Sequence, residues 1–118
     1  ALIMAILSGS NGGKSIPLRE LSVTDFEQEL ASRSPNQPHY YVLFNALGTS
    51  LPCPACAPSA AVLSHLNGKM HKLDDIKLAT VELKTGRQLF ERLQLEAAPT
   101  LVYFPAGGQR APQILDYH

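Results

Sequence analysis

The order of segments along this chain predicts an α/β sandwich. Three observations carry that reading. Tyr40-Tyr-Val-Leu-Phe44 is an almost unbroken apolar run, as expected of a strand covered on both faces. Strand-like and helix-like segments then alternate through the rest of the chain. A second strand-like run, Thr100 to Phe104, follows Pro99, with turn residues Gly107-Gly108 beyond it. At 118 residues the chain fits one small domain with a single core, and we assign residues 1–118 to it.

Taken in order, Ala1 to Leu7 is apolar but too short to span a bilayer, and it carries no basic leader. The end of a signal peptide and residues left from expression are open readings; a short helix packing on the core is preferred. Ser8 to Ser15 reads as a turn and Ile16-Pro-Leu18 as a short edge strand, where Pro17 can face away from the ladder. Ser22 or Thr24 can cap a helix carrying Leu21, Phe26 and Leu30, with Asp25 and Glu27 suited to its positive first turn. Ser34 to Pro38 ends that helix, and a strand is predicted from His39 to Leu47. Beyond the cysteines, Ala60 to Leu66 is helical and Asn67-Gly68 closes it. Ile76, Leu78, Val81 and Leu83 alternate well enough for a second central strand. Gly86 to Leu95 has Leu89, Phe90 and Leu93 at helical spacing. Ile114-Leu115 begins a returning strand.

Composition excludes some functions. The hydrophobic fraction is 45% and the formal net charge is zero, which argues against a nucleic-acid partner. The two cysteines cannot build a disulfide framework, and their spacing occurs in cytosolic and secretory redox domains alike. There is no Asn-x-Ser/Thr sequon.

The chemistry sits in Leu51-Pro-Cys-Pro-Ala-Cys-Ala-Pro58. A Cys-x-x-Cys pair can be a redox couple, half a zinc site, or a static loop. Exchange needs an accessible thiolate and a second thiol close enough to release the mixed disulfide. At this spacing both sulfurs meet across the first turn of a helix, whose free N–H groups stabilise an anion. Cys53 is therefore the candidate nucleophile and Cys56 the resolving thiol. Pro54 suits a first helical position. Pro58 is expected to kink the helix or delay its regular start, leaving Cys53 less of the dipole. Asn45, Ala46 and Leu47 stand where an acid would assist proton transfer, so the couple is expected to be only modestly tuned. Pro99, preceded by two small residues, is placed for a cis bond in a tight turn. Facing the cysteines, it would present the backbone of Ala98 to an extended peptide; the alternative is a proline that merely opens a strand. Zinc would need two more ligands, and the spacing of His65 and His71 puts them on different helical faces.

The cysteine and proline pairing resembles thioredoxin-like domains in general. Tyr40 to Leu47, Ala79-Thr-Val-Glu-Leu83, Phe90 to Leu95 and above all Ala98-Pro-Thr-Leu-Val-Tyr-Phe-Pro-Ala-Gly-Gly108 resemble one branch more closely. That branch is the luminal domain of the oxidoreductase accessory (gamma) subunits of oligosaccharyltransferase. The absence of a tryptophan before Cys53 fits it too. The resemblance implies a thioredoxin-like three-layer sandwich around a central mixed β-sheet, with the C-terminal helix missing from this chain. It implies a thiol–disulfide oxidoreductase role with no cofactor beyond the redox-active Cys53–Cys56 disulfide. The implied partners are cysteine-containing nascent polypeptides and other subunits of the complex, in the lumen of the endoplasmic reticulum. Such domains hold the polypeptide by a mixed disulfide or in a groove while acceptor asparagines are glycosylated. Carried over, exchange falls to Cys53 and Cys56, the groove wall to Pro99, and substrate contacts to Ala98, Pro54 and Ala55. Relatives continue into four transmembrane helices, so the chain is read as a fragment that meets the membrane only through segments outside it. A general thioredoxin- or protein disulfide isomerase-like oxidoreductase and a non-catalytic peptide-binding adaptor are the alternatives.

Gly13-Lys-Ser15 imitates the end of a phosphate-binding loop, but Ser8 replaces the first glycine and Pro17 obstructs the helix that must follow. The scattered histidines are expected at surface or satisfied positions. Arg87, Glu91 and Arg92 are expected on a solvated helix face, and Tyr103 and Phe104 in the sheet and core.

Overall fold

Tyr40 to Phe44 lies in the central strand, β2 (His39–Asn45), with a neighbour on each side. A computed structural model describes residues 15–31, 35–107 and 111–115. The helix expected over Ala1–Leu7, and all but Ser15 of the turn and phosphate-loop mimic after it, lie outside them. In chain order the elements are β1 (Arg19–Glu20), α1 (Val23–Phe26, continued by a π-helical turn, Glu27–Ala31), β2, α2 (Cys56–Met70), β3 (Ile76–Glu82), α3 (Leu83–Arg92), β4 (Thr100–Phe104) and β5 (Gln113–Leu115). The sheet order is β1-β3-β2-β4-β5. β1, β3 and β2 run parallel, while β4 is antiparallel to both β2 and β5. The mixed sheet and its flanking helices match the expected class.

Alternation along β2 divides the sheet into two faces. Tyr40, Val42 and Phe44 share one face with Ala79 and Val81 of β3 and Val102 and Phe104 of β4. α1 and α3 pack there, with Phe26 edge-on to Phe104 at 5.5 Å and Phe90 edge-on to Phe44 at 5.3 Å. This is the aromatic core. Tyr41, Leu43 and Asn45 point the other way, beside Leu78, Thr80 and Glu82 of β3 and Leu101 and Tyr103 of β4. α2 covers this second face at its Asn45 end, where the side chain of Asn45 bonds the first helical residue.

Element ends differ from expectation for local reasons. The edge strand is Arg19–Glu20 rather than Ile16–Leu18. The Ile16 N–H is committed to the Ser64 carbonyl of α2, and the Asn67 amide bonds the carbonyls of Ile16 and Pro17. α2 runs on to Met70 instead of closing at Asn67-Gly68, and the Asn67 carbonyl stays in the helical ladder, accepting from the His71 N–H at 2.8 Å. Ser22, not Thr24, caps α1, in a reciprocal box with Asp25. β2 stops at Asn45, because the Leu47 N–H bonds Glu82 and Gly48 turns the chain at φ +74°. α3 begins at Leu83, so Leu83 leaves the predicted strand, and Gly86 marks a kink inside the helix rather than its start. A Cβ on Gly86 would lie 2.7 Å from Val81 Cγ1, so glycine is what lets α3 lie against β3.

Candidate functional site

The cysteines occupy the loop between β2 and the first residue of α2. Cys53 and Cys56 form a disulfide with Cα atoms 5.4 Å apart, and the Cys56 N–H donates to the Cys53 carbonyl at 3.2 Å. Cys56 is fully buried and Cys53 half-buried, so Cys53 offers the accessible sulfur.

Pro58 neither kinks nor delays the helix. α2 starts at Cys56, which makes Pro58 its third residue, and the first helical bond runs from Ser59 N–H to the Ala55 carbonyl at 3.0 Å. The N–H that proline lacks would have had no partner inside the helix, and residue 54, whose carbonyl its ring would meet, is outside. The N-cap, Ala55, has no side-chain acceptor to occupy the first-turn donors. The helix therefore turns its positive end toward the cysteine loop, contrary to the weakened dipole expected from the sequence.

The Ala98–Pro99 peptide bond is cis. It sets the Ala98 carbonyl 3.4 Å from Cys53 Sγ. A disulfide sulfur carries no hydrogen, so this contact becomes a hydrogen bond only when Cys53 is reduced and its thiol donates. Beside it opens a cleft of about 430 Å³ with Cys53, Leu51, Leu83, Phe90, Leu95 and Ala98 among its lining residues. Arg87, Glu91 and Glu96 line it too; Arg87, Glu91 and Arg92 are exposed, as expected of a solvated face, and the first two also border the cleft. The third, Arg92, pairs with Glu27 at 2.6 Å. Cys53, Cys56 and Ala98 come together as a unit, with Pro99 joined to Ala98. Pro54 and Ala55 are exposed, and neither they nor Pro99 line the cleft.

Two residues beneath the loop were not legible as participants. Asn45 is fully buried and its Nδ2 donates to the Cys56 carbonyl at 3.0 Å. Glu82 stands opposite Asn45 in the ladder and accepts from the Leu47 N–H at 2.9 Å. Burial pushes the Glu82 carboxyl above its ordinary range, against the hydrogen bond from the Leu47 N–H that pulls it down. Thr80 Oγ1 lies 2.8 Å from the Leu43 carbonyl and 3.3 Å from Glu82. One hydroxyl has one proton, and the shorter bond to Leu43 takes it. The neighbouring strand thus sets an acid, Glu82, across from Asn45.

The chain matches the family described as OST3 / OST6 family, transporter family, over residues 5–117. It belongs to that family. Membership points to an oligosaccharyltransferase complex as its assembly and to the endoplasmic reticulum as its compartment. Together with the Cys53–Cys56 disulfide it marks the domain as an oxidoreductase-like subunit of that complex. Two of the solved structures that share its fold are thioredoxins. A chloroplastic thioredoxin z aligns with a TM-score of 0.65 at 20% identity, over 87% of this chain and 83% of the other. The thioredoxin of Fasciola hepatica aligns with a TM-score of 0.62 at 18% identity, over 81% and 85%. At such identities the likeness establishes the fold, which is thioredoxin-like. No curated protein matches the chain. Among the described residues, no helix of this OST3 / OST6 family domain is long and apolar enough to cross a membrane.

Proposed function

We propose that this chain is the luminal domain of a membrane-anchored oligosaccharyltransferase subunit and holds cysteine-containing nascent polypeptides near the glycosylation catalyst by thiol–disulfide exchange. One observation carries the reading: an accessible Cys53 on an apolar cleft, joined to a fully buried Cys56. A substrate thiolate attacks Cys53 Sγ, the S–S bond breaks, and Cys56 leaves as a thiolate that takes up a proton. The substrate is then tethered through Cys53, with its neighbouring residues in the cleft beside Ala98. Cys56, deprotonated again, attacks Cys53 Sγ and expels the substrate thiolate. The cycle is redox-neutral, so it needs no cofactor beyond the disulfide.

The test is trapping in the full-length subunit within its complex. In Cys56→Ser the free Cys53 thiolate attacks a polypeptide disulfide and expels one of its cysteines as a thiolate, and with no resolving thiol the mixed disulfides accumulate on non-reducing gels. Cys53→Ser accumulates none. Trapping that survives Cys53→Ser and requires Cys56 would reverse the assignment. Equilibration with glutathione addresses the adaptor alternative. A potential far below the roughly −180 to −210 mV poise of the endoplasmic reticulum would make the bond a static staple.

A further inference from the structure

The buried amide of Asn45 is satisfied on one side only. Its Nδ2 donates to the Cys56 carbonyl, while Oδ1, also buried, has no hydrogen-bond partner among the described residues. Reversing the amide does not help, since it would set oxygen against the Cys56 carbonyl oxygen. The facing Glu82 carboxylate is already an acceptor, from the Leu47 N–H. An unpaired buried acceptor is costly, and the residue that the same amide already holds is Cys56, whose protonation changes with redox state. In the disulfide Cys56 has no hydrogen to give. Reduction by a thiol donor breaks the S–S bond with two electrons and two protons, and Cys56, itself fully buried beside the Asn45 amide that holds its carbonyl, gains an S–H.

We propose that Asn45 is a redox-tuning positioning residue, whose Oδ1 accepts the Cys56 thiol once the disulfide has opened. This rests on the Cys53–Cys56 pair being a working couple. The acceptor is unpaired in the oxidised state and paired in the reduced one, so Asn45 favours opening of the disulfide. The same bond holds Cys56 as a thiol while Cys53 carries a substrate, because a donated proton must be lost before Cys56 can attack. The Nδ2 bond to the Cys56 carbonyl is a separate, structural contribution.

Asn45→Leu should shift the equilibrium with glutathione about tenfold toward the disulfide, about 30 mV for a two-electron couple. In Cys53→Ser, where Cys56 is the sole thiol, the infrared S–H stretch should lie at hydrogen-bonded frequency and move to the free position when Asn45→Leu is added. Should Asn45→Leu fail to fold, two readings remain decisive. One is the Cys53→Ser stretch itself, and the other is the Asn45 13Cγ resonance of the unaltered chain, which should move on reduction. A free S–H stretch with an unmoved 13Cγ resonance overturns the proposal. So does a shifted potential without a displaced stretch, which would trace the effect to the start of α2. None of these readings involves a polypeptide, so failure of trapping in the complex leaves them standing.

Discussion

The two faces of the sheet are built on different principles. The face under α1 and α3 is closed by Phe26, Phe44, Leu89, Phe90, Val102 and Phe104, each at most 6% exposed. On the other face Tyr41, Leu78, Leu101 and Tyr103 are only half-buried, and the fully buried positions include a polar one, Asn45. Here His39, Tyr41 and Tyr103 stack, and His39 Nδ1 accepts from the Tyr103 hydroxyl at 2.7 Å and the Ala106 N–H at 3.3 Å. Apolar burial holds the first face together. Directed polar contacts organise the second, with the His39 cluster at one end of β2 and Asn45, bonded to the start of α2, at the other. A domain built this way can vary the chemistry beneath its disulfide while its main core is left alone.

That contrast can be broken by substitution. Phe44→Ala should cost about 3–5 kcal/mol in urea unfolding, because a fully buried ring leaves a cavity. Leu101→Ala on the opposite face should cost about 1–2 kcal/mol, since part of that side chain is already in water. Equal losses would erase the distinction between the faces. Gly86→Ala sharpens the first half of the comparison. Its new methyl meets Val81 Cγ1, and a loss of about 1–3 kcal/mol is expected despite the better helix former. A gain in stability would mean that α3 can slide on β3. Tyr103→Phe removes the hydroxyl that serves His39 and should cost about 0.5 kcal/mol, small because both groups are partly hydrated. A loss as large as that of Gly86→Ala would show the second face to be more closed than its exposure indicates.

The sequence made the aromatic face easy to read and the polar face hard. Tyr40 to Phe44 declared itself by composition, and the Cys53, Cys56 and Pro99 constellation by spacing. Asn45 was visible only as the place where an acid was missing. Its role depends on the register that sets Glu82 across from it and on where α2 begins, and both are tertiary facts. Pro58 shows how fine the margin is. The same residue breaks a helix interior yet is harmless in the first turn, and the difference lies in where the helix starts. Arg87, Glu91 and Arg92 were read as a solvated helix face, and all three are exposed. Arg87 and Glu91 also line the cleft beside Cys53, a placement for which the sequence carries no separate signal.

Glu82 offers the finest test of the polar face, because it is an acid whose partners cannot fully offset its burial. Its folded carboxyl titrates above the ordinary value of 4.5, with burial as the first cause and the charge of Glu20 acting in the same direction. The native state therefore binds the proton more tightly than the unfolded chain. The stability tied to that proton is fully present below the unfolded value and is lost as pH rises through the folded one. Glu82→Gln keeps an oxygen for the Leu47 N–H and places an NH2 group toward Thr80 Oγ1, without a charge to bury. Urea unfolding across about pH 4 to 8 should then show the unaltered chain losing stability relative to the variant as pH rises past the carboxylate range. An advantage of the unaltered chain that grew with pH would mean that the Leu47 contact outweighs burial, and that the acid beneath the cysteine loop is held as a stabilised carboxylate.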